Sequence, residues 1–94
     1  MKRCRVSGTI KAVSGTATKR RLIFRPEHAG VMPGEGYVAQ DDVILTTEAD
    51  GTFVVALVPS AVVGTYKVII GEASHKIKVP TAQQAKLEDL LQEA

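Results

Sequence analysis

The chain has one cysteine and no tryptophan, with only two phenylalanines and two tyrosines among its 94 residues. A single thiol, Cys4, excludes an intramolecular disulfide and a cysteine-based zinc cluster, and it fits synthesis in a reducing compartment. So few aromatic rings leave little stacking area for nucleic-acid bases or sugar rings. No apolar run approaches the roughly 20 residues of a membrane helix, and the opening MKRCRVSGTI lacks the hydrophobic stretch of a signal peptide. The length allows one domain, which would bury about 60–65% of its unfolded surface. These absences point to a small soluble domain and name no activity.

Two further absences are local. Residues 1–25 carry eight Lys or Arg and no acid, whereas residues 27–66 carry six Asp or Glu and no Lys or Arg. The remainder is balanced, so a net charge of +2 conceals a segregated pattern. Such a pattern suggests a dipolar surface, or two regions that complement each other across the fold or across an interface.

Alternation with a period of two dominates the first 80 residues. Cys4, Val6, Gly8, Ile10 and Ala12 fall on one side of the opening segment, with Arg3, Arg5, Ser7, Thr9 and Lys11 on the other. This is the pattern of a half-buried strand. Ser14-Gly15 closes it as a turn. A second strand over Thr18 to Arg25 turns Leu22 and Phe24 inward and Arg21, Ile23 and Arg25 outward, and Pro26 ends it. Residues 26–40, with two Pro and three Gly, read as one long irregular loop of the kind that is functional or ordered by a partner. Val43 to Thr47 and Thr52 to Val58 read as strands joined by an Asp50-Gly51 hairpin turn. Both faces of the second of these are apolar, which predicts cover on both sides or pairing at an interface. A short loop from Pro59 to Gly64 precedes a strand over Thr65 to Ile70. Gly71 to Ser74 then turns the chain into a last strand over His75 to Val79.

The period changes after Pro80. Thr81 and Gln84 have the spacing of a helix capping box, and Leu87, Leu90, Leu91 and Ala94 form the stripe of an amphipathic helix. At three turns that helix is marginal alone and must dock, either on its own sandwich or on a neighbouring subunit. The expected organisation is a sandwich over 1–80 and this helix over 81–94. The expected fold is all-β: a single antiparallel sandwich of about six or seven strands.

Chemistry-bearing residues are sparse. His28 and His75 lie far apart and near no nucleophile, so structural or solvent-facing roles are expected. Asp41, Asp42, Glu48 and Asp50 lack the spacing of a calcium loop and read as an acidic edge. Gly34-Glu35-Gly36 lacks the lysine of a phosphate loop. Cys4 falls on the inward side of its strand, as a small hydrophobe would. No catalytic residue, metal or cofactor is expected. Lys19, Arg20 and Arg21 with Arg3, Arg5 and Arg25 could contact phosphates. The low net charge and the missing aromatic platform favour an acidic protein partner over nucleic acid.

Taken together, VSGTIKAVSGTATKRRLIFRP, TTEADGTFVVALVPSAVVGTYKVII and HKIKVPTAQQAKLEDLL resemble the N-terminal domain of bacteriophage tail fibres. They are more distantly similar to carboxypeptidase regulatory-like and transthyretin-like sandwiches. The matching elements are the Val6 to Ile10 strand, the strand ending in Phe24, the Thr47 to Phe53 turn, the Gly64 to Val68 strand and the Leu87 to Leu91 helix. The resemblance implies an Ig-like or prealbumin-like sandwich and a non-enzymatic virion component, assembled in the host cytoplasm, that docks a tail, neck or fibre part. Arg3, Arg5, Arg20, Arg21 and Arg25 would meet an acidic virion partner, and Leu87, Leu90 and Leu91 would pack at a subunit contact in a homo-oligomer. The alternative is a carbohydrate-binding or enzyme-appended sandwich, for which Tyr37 is the candidate platform.

Overall fold

A computed structural model describes residues 2–16 and 19–93, with the side chains of residues 92 and 93 excepted. Thr18 and Ala94, included above in a strand and a helix, lie outside the described residues. The chain folds as an all-β sandwich with two short helices. Its elements are β1 (Cys4–Thr9), β2 (Arg21–Arg25), β3 (Gly30–Met32), β4 (Gly36–Val38), β5 (Val43–Thr46), β6 (Thr52–Leu57), α1 (Ser60–Val63), β7 (Tyr66–Ile70), β8 (Ala73–Ile77), β9 (Gln84–Lys86) and α2 (Leu87–Glu93). One sheet has the order β6-β1-β9, the other β5-β2-β7-β8, and β3-β4 is a separate hairpin.

The alternation read from the sequence sets the core. Cys4 and Val6 of β1 and Phe53 and Leu57 of β6 point inward from the first sheet. Leu22 and Phe24 of β2, Tyr66 and Val68 of β7 and Ile77 of β8 meet them from the second. The rings of Phe24 and Phe53 lie 6.3 Å apart, tilted by 46°, so each sheet contributes one aromatic to the centre. Leu87 and Leu90 of α2 belong to the same buried cluster, with Leu91 packed against it. The helix therefore docks on its own sandwich.

Five expectations are corrected. First, residues 26–40 are not irregular throughout. They hold the β3-β4 hairpin, anchored by fully buried Met32, with Gly30 against α1. A Cβ on Gly30 would overlap the Val62 carbonyl oxygen, so this close approach is open to glycine alone. Second, Asp50-Gly51 makes a tight turn, with the Gly51 N–H donating to Glu48 O at 2.8 Å, but β5 and β6 do not pair. The turn carries the chain from one sheet to the other. Third, residues 59–64 contain the single helical turn α1, ended by Gly64 at φ 80°.

Fourth, Thr81 and Gln84 do not begin a helix. Gln84–Lys86 is a strand that pairs parallel with β1, and α2 starts at Leu87. The reason is the second edge of β1: the Arg5 N–H donates to Gln83 O at 3.0 Å, a bond that a helix there would forfeit. This pair is also the exception to an otherwise antiparallel ladder set. Of the two readings for the second apolar face of β6, cover within the chain is absent among the described residues, because Val54 is 63% exposed and Ala56 is exposed as well, which leaves pairing at an interface. Val58 is buried just beyond the strand end. Fifth, the strand expected over His75 to Val79 runs from Ala73 to Ile77, while Val79 stays buried, its N–H held by Ser60 Oγ at 2.8 Å.

Candidate interaction surfaces

The five arginines of the basic N-terminal third do not share a surface. β1 and β2 belong to different sheets, so their outward sides face opposite directions. Arg5 stands on the outer face of the three-stranded sheet, between Ala56 and Gln84. Arg21 and Arg25 stand on the outer face of the four-stranded sheet, and exposed Arg20 directly precedes β2. Arg3 pairs with Glu35 in the β3-β4 turn. Arg25 binds Asp42 through three contacts, Nε to Oδ1 at 3.1 Å, Nε to Oδ2 at 3.3 Å and Nη2 to Oδ2 at 3.0 Å. Two of the early cations thus find their acids inside the chain, one of the two arrangements that the segregated sequence allowed.

The outer face of the four-stranded sheet has a defined pattern. Register aligns Ile44 of β5, Ile23 of β2 and Ile69 of β7 in one row across three strands. Ile44 is 53% exposed and the other two are half-buried. The neighbouring row is Arg25, Lys67 and Lys76, each directly opposite the next. Arg21 stands on the other side of the isoleucines. Like charges opposite each other on adjacent strands are unfavourable. Asp42 relieves Arg25, whereas Lys67 and Lys76 have no carboxylate partner among the described residues. The Asp42 carboxyl is held below the usual carboxylate range by its hydrogen bond to Arg25.

The open side of the sandwich holds a groove of about 380 Å³ between β5 and β6. Val43, Ala56, Leu57 and Tyr66 line it, together with Tyr37 and Glu35 of the hairpin. Buried Tyr66 donates its hydroxyl to Val58 O at 2.7 Å, and burial pushes the phenol up to about 12. Tyr37 is 75% exposed and lies across from exposed Val31.

Cys4 lies inside, as its place in the β1 alternation implied, and the two histidines are far apart along the chain. Cys4 is fully buried, and burial pushes its thiol up. His28 and His75 are exposed on different elements, with His28 Nδ1 2.8 Å from Ala29 O. Among the described residues, no group of three or more His, Cys, Asp or Glu could hold a metal ion. Leu87 and Leu90 are 3% and 4% exposed within their own core, so their apolar surface is engaged inside the chain. The isoleucine row is not legible in the sequence, because alternation places Ile23 outward on its own strand and says nothing of what stands beside it. Only the register joins the three isoleucines.

Fold and surface together define a small β-sandwich with a mixed apolar and basic outer face. No family model matches the chain, and no curated protein matches its sequence.

Proposed function

We propose that this chain is a non-catalytic attachment module that joins a tail, neck or fibre component of a bacteriophage virion to an acidic neighbour. The virion setting rests on the resemblance of its strand and helix motifs to tail-fibre N-terminal domains. The contact surface rests on one observation: the Ile44, Ile23 and Ile69 row bordered by Arg21 on one side and by Lys67 and Lys76 on the other. A partly exposed apolar stripe with cations on both sides fits an interface whose centre is apolar and whose rim is charged. The cations would set orientation and partner choice more than affinity.

Mass spectrometry of purified particles tests the setting, and absence of the chain from intact virions would sink it. The double variant Arg21→Glu with Lys67→Glu tests the surface. Both residues are exposed, so folding should be retained while incorporation into particles falls at least tenfold. Unchanged incorporation would remove this face from the proposal. A second reading, carbohydrate binding, has the exposed ring of Tyr37 in its favour. It requires glycan-array signal that disappears in Tyr37→Ala.

A further inference from the structure

Every open sheet has two edges, and a bare edge is a template for another strand unless it is guarded. Among the described residues, the two sheets of the sandwich have four edges, β5 and β8 in one and β6 and β9 in the other. Three of them are protected. β8 has α2 packed against it and carries Lys76, and β9 is only three residues long. β5 is flanked by Asp42 and Glu48, which would face each other if two copies paired antiparallel about Leu45. β6 has no such guard. Its sequence, TFVVAL, contains no charge, proline or glycine.

The ladder also fixes which groups β6 offers. β1 and β6 pair antiparallel in a register that continues to Ile10 and Gly51, where the Ile10 N–H donates to Gly51 O at 2.8 Å. Hydrogen-bonded rungs alternate along such a ladder. Gly8 with Phe53, Val6 with Val55 and Cys4 with Leu57 are therefore the bonded rungs. Arg5 agrees with this parity, since its N–H points the other way, to Gln83. The N–H and C=O groups of Thr52, Val54 and Ala56 point to the free edge. Those of Thr52 are already engaged, its N–H by Asp50 Oδ1 and its C=O by the Glu48 N–H. Val54 and Ala56 keep two donors and two acceptors, on side chains that are both exposed.

We infer that β6 pairs with β6 of a second copy of this chain, antiparallel about a two-fold axis through Val55. In that register Val54 of one copy faces Ala56 of the other, twice by symmetry. Their N–H and C=O groups form four hydrogen bonds, and all four free edge groups of each copy are used. Neighbouring registers fail this count: moving one rung one way brings the occupied Thr52 groups opposite Ala56, and the other way brings Val58, whose C=O accepts from Tyr66, opposite Val54. No charged side chain stands opposite another within the six residues. The two three-stranded sheets become one six-stranded sheet with the order β9-β1-β6-β6-β1-β9. Such an isologous contact is closed, so it stops at a dimer. The groove beside Ala56 and Leu57 leaves that end of the edge open for the approaching strand.

The contact does not involve the basic outer face of the other sheet, so each proposal can fail alone. Sedimentation equilibrium on the purified chain is the test. The expected mass is twice 10.0 kDa at high micromolar concentration, falling toward the monomer on dilution. Val54→Lys with Ala56→Lys puts lysines opposite each other across the axis and should weaken dimerisation at least a hundredfold, with the monomer still folded by circular dichroism. Ala56→Pro removes one edge N–H and should act in the same direction. Cross-linking through Val55→Cys should be symmetric and efficient only in the parent background. A monomer up to millimolar concentration would overturn the inference. A dimer that survives both the double-lysine and the proline variants would overturn it too, because its contact would then lie elsewhere.

Discussion

Tyr66 offers the most quantitative check on how the sandwich is held together. Its ring is 3% exposed in the core, and its hydroxyl donates to the Val58 carbonyl at 2.7 Å. Burial is the main reason its phenol is pushed up to about 12, with the nearby Arg3 charge opposing the rise. An unfolded tyrosine ionises near pH 10. The folded state therefore holds its proton more tightly than the unfolded one, so this contribution is fully present below about pH 10 and is lost as pH rises toward 12. Each pH unit in that window removes about 1.4 kcal/mol, so that about 3 kcal/mol goes across the whole window.

Tyr66→Phe abolishes the titration at the cost of the hydrogen bond. At pH 7 the variant should be less stable by about 1.5 kcal/mol, since the Val58 carbonyl loses a buried donor. Above about pH 10 the parent declines and the variant lacks this term, so the two stability curves should cross near about pH 11. Urea unfolding followed by circular dichroism from pH 7 to 12 measures this. Other groups that titrate in the window do so in both proteins, so the difference curve isolates Tyr66. Parallel curves, or a crossing that never comes, would refute the link between burial, the hydroxyl bond and the raised phenol.

Four further outcomes follow from the same packing. Leu90→Ala should cost about 2–4 kcal/mol and lower the Tm in a thermal melt, because Leu90 lies in the chain's own core. Gly64→Ala should destabilise by about 1–3 kcal/mol in denaturant titration: the residue sits at φ 80°, and a Cβ there would come within 2.5 Å of Glu27 Oε1. The Asp42 carboxyl, lowered by Arg25, should titrate in carbon NMR below its value in Arg25→Met. Its contribution to stability is present above the unfolded carboxylate range and lost as pH falls, and high salt should shrink it. Cys4 should react with a thiol reagent only as fast as the chain unfolds, since its thiol is buried and pushed up.

The sequence made faces legible and left partners hidden. Alternation in β1 and β2 put Cys4, Val6, Leu22 and Phe24 inside, and each is buried. A period of two reports which way a side chain points, because successive residues face opposite sides of any sheet. It carries nothing about which strand lies alongside. Asp50-Gly51 shows the limit. The dipeptide specifies a reversal, and the reversal is there, but sheet identity depends on β6 finding β1 and β5 finding β2. The same gap hid β9. Thr81 and Gln84 satisfied a local helix rule, and the open hydrogen-bonding edge of β1, about 80 residues earlier in the chain, overrode it.

Charge was the feature most changed by this. Along the chain the early cations form one block, but sheet partition sends Arg5 to one side of the sandwich and Arg21 and Arg25 to the other. What the fold assembles instead is a basic row drawn from three strands, two of whose members, Lys67 and Lys76, lie outside the basic third. Asp42 neutralises the Arg25 end, so the uncompensated charge moves toward β8. A partner attracted to this surface would thus be positioned by the lysines, whose charge is balanced in the composition by acids of the same C-terminal third. That inversion is testable in one pair of proteins. Lys67→Glu with Lys76→Glu should weaken binding of an acidic partner more than Arg3→Glu with Arg5→Glu, although the second pair belongs to the block that dominates the sequence.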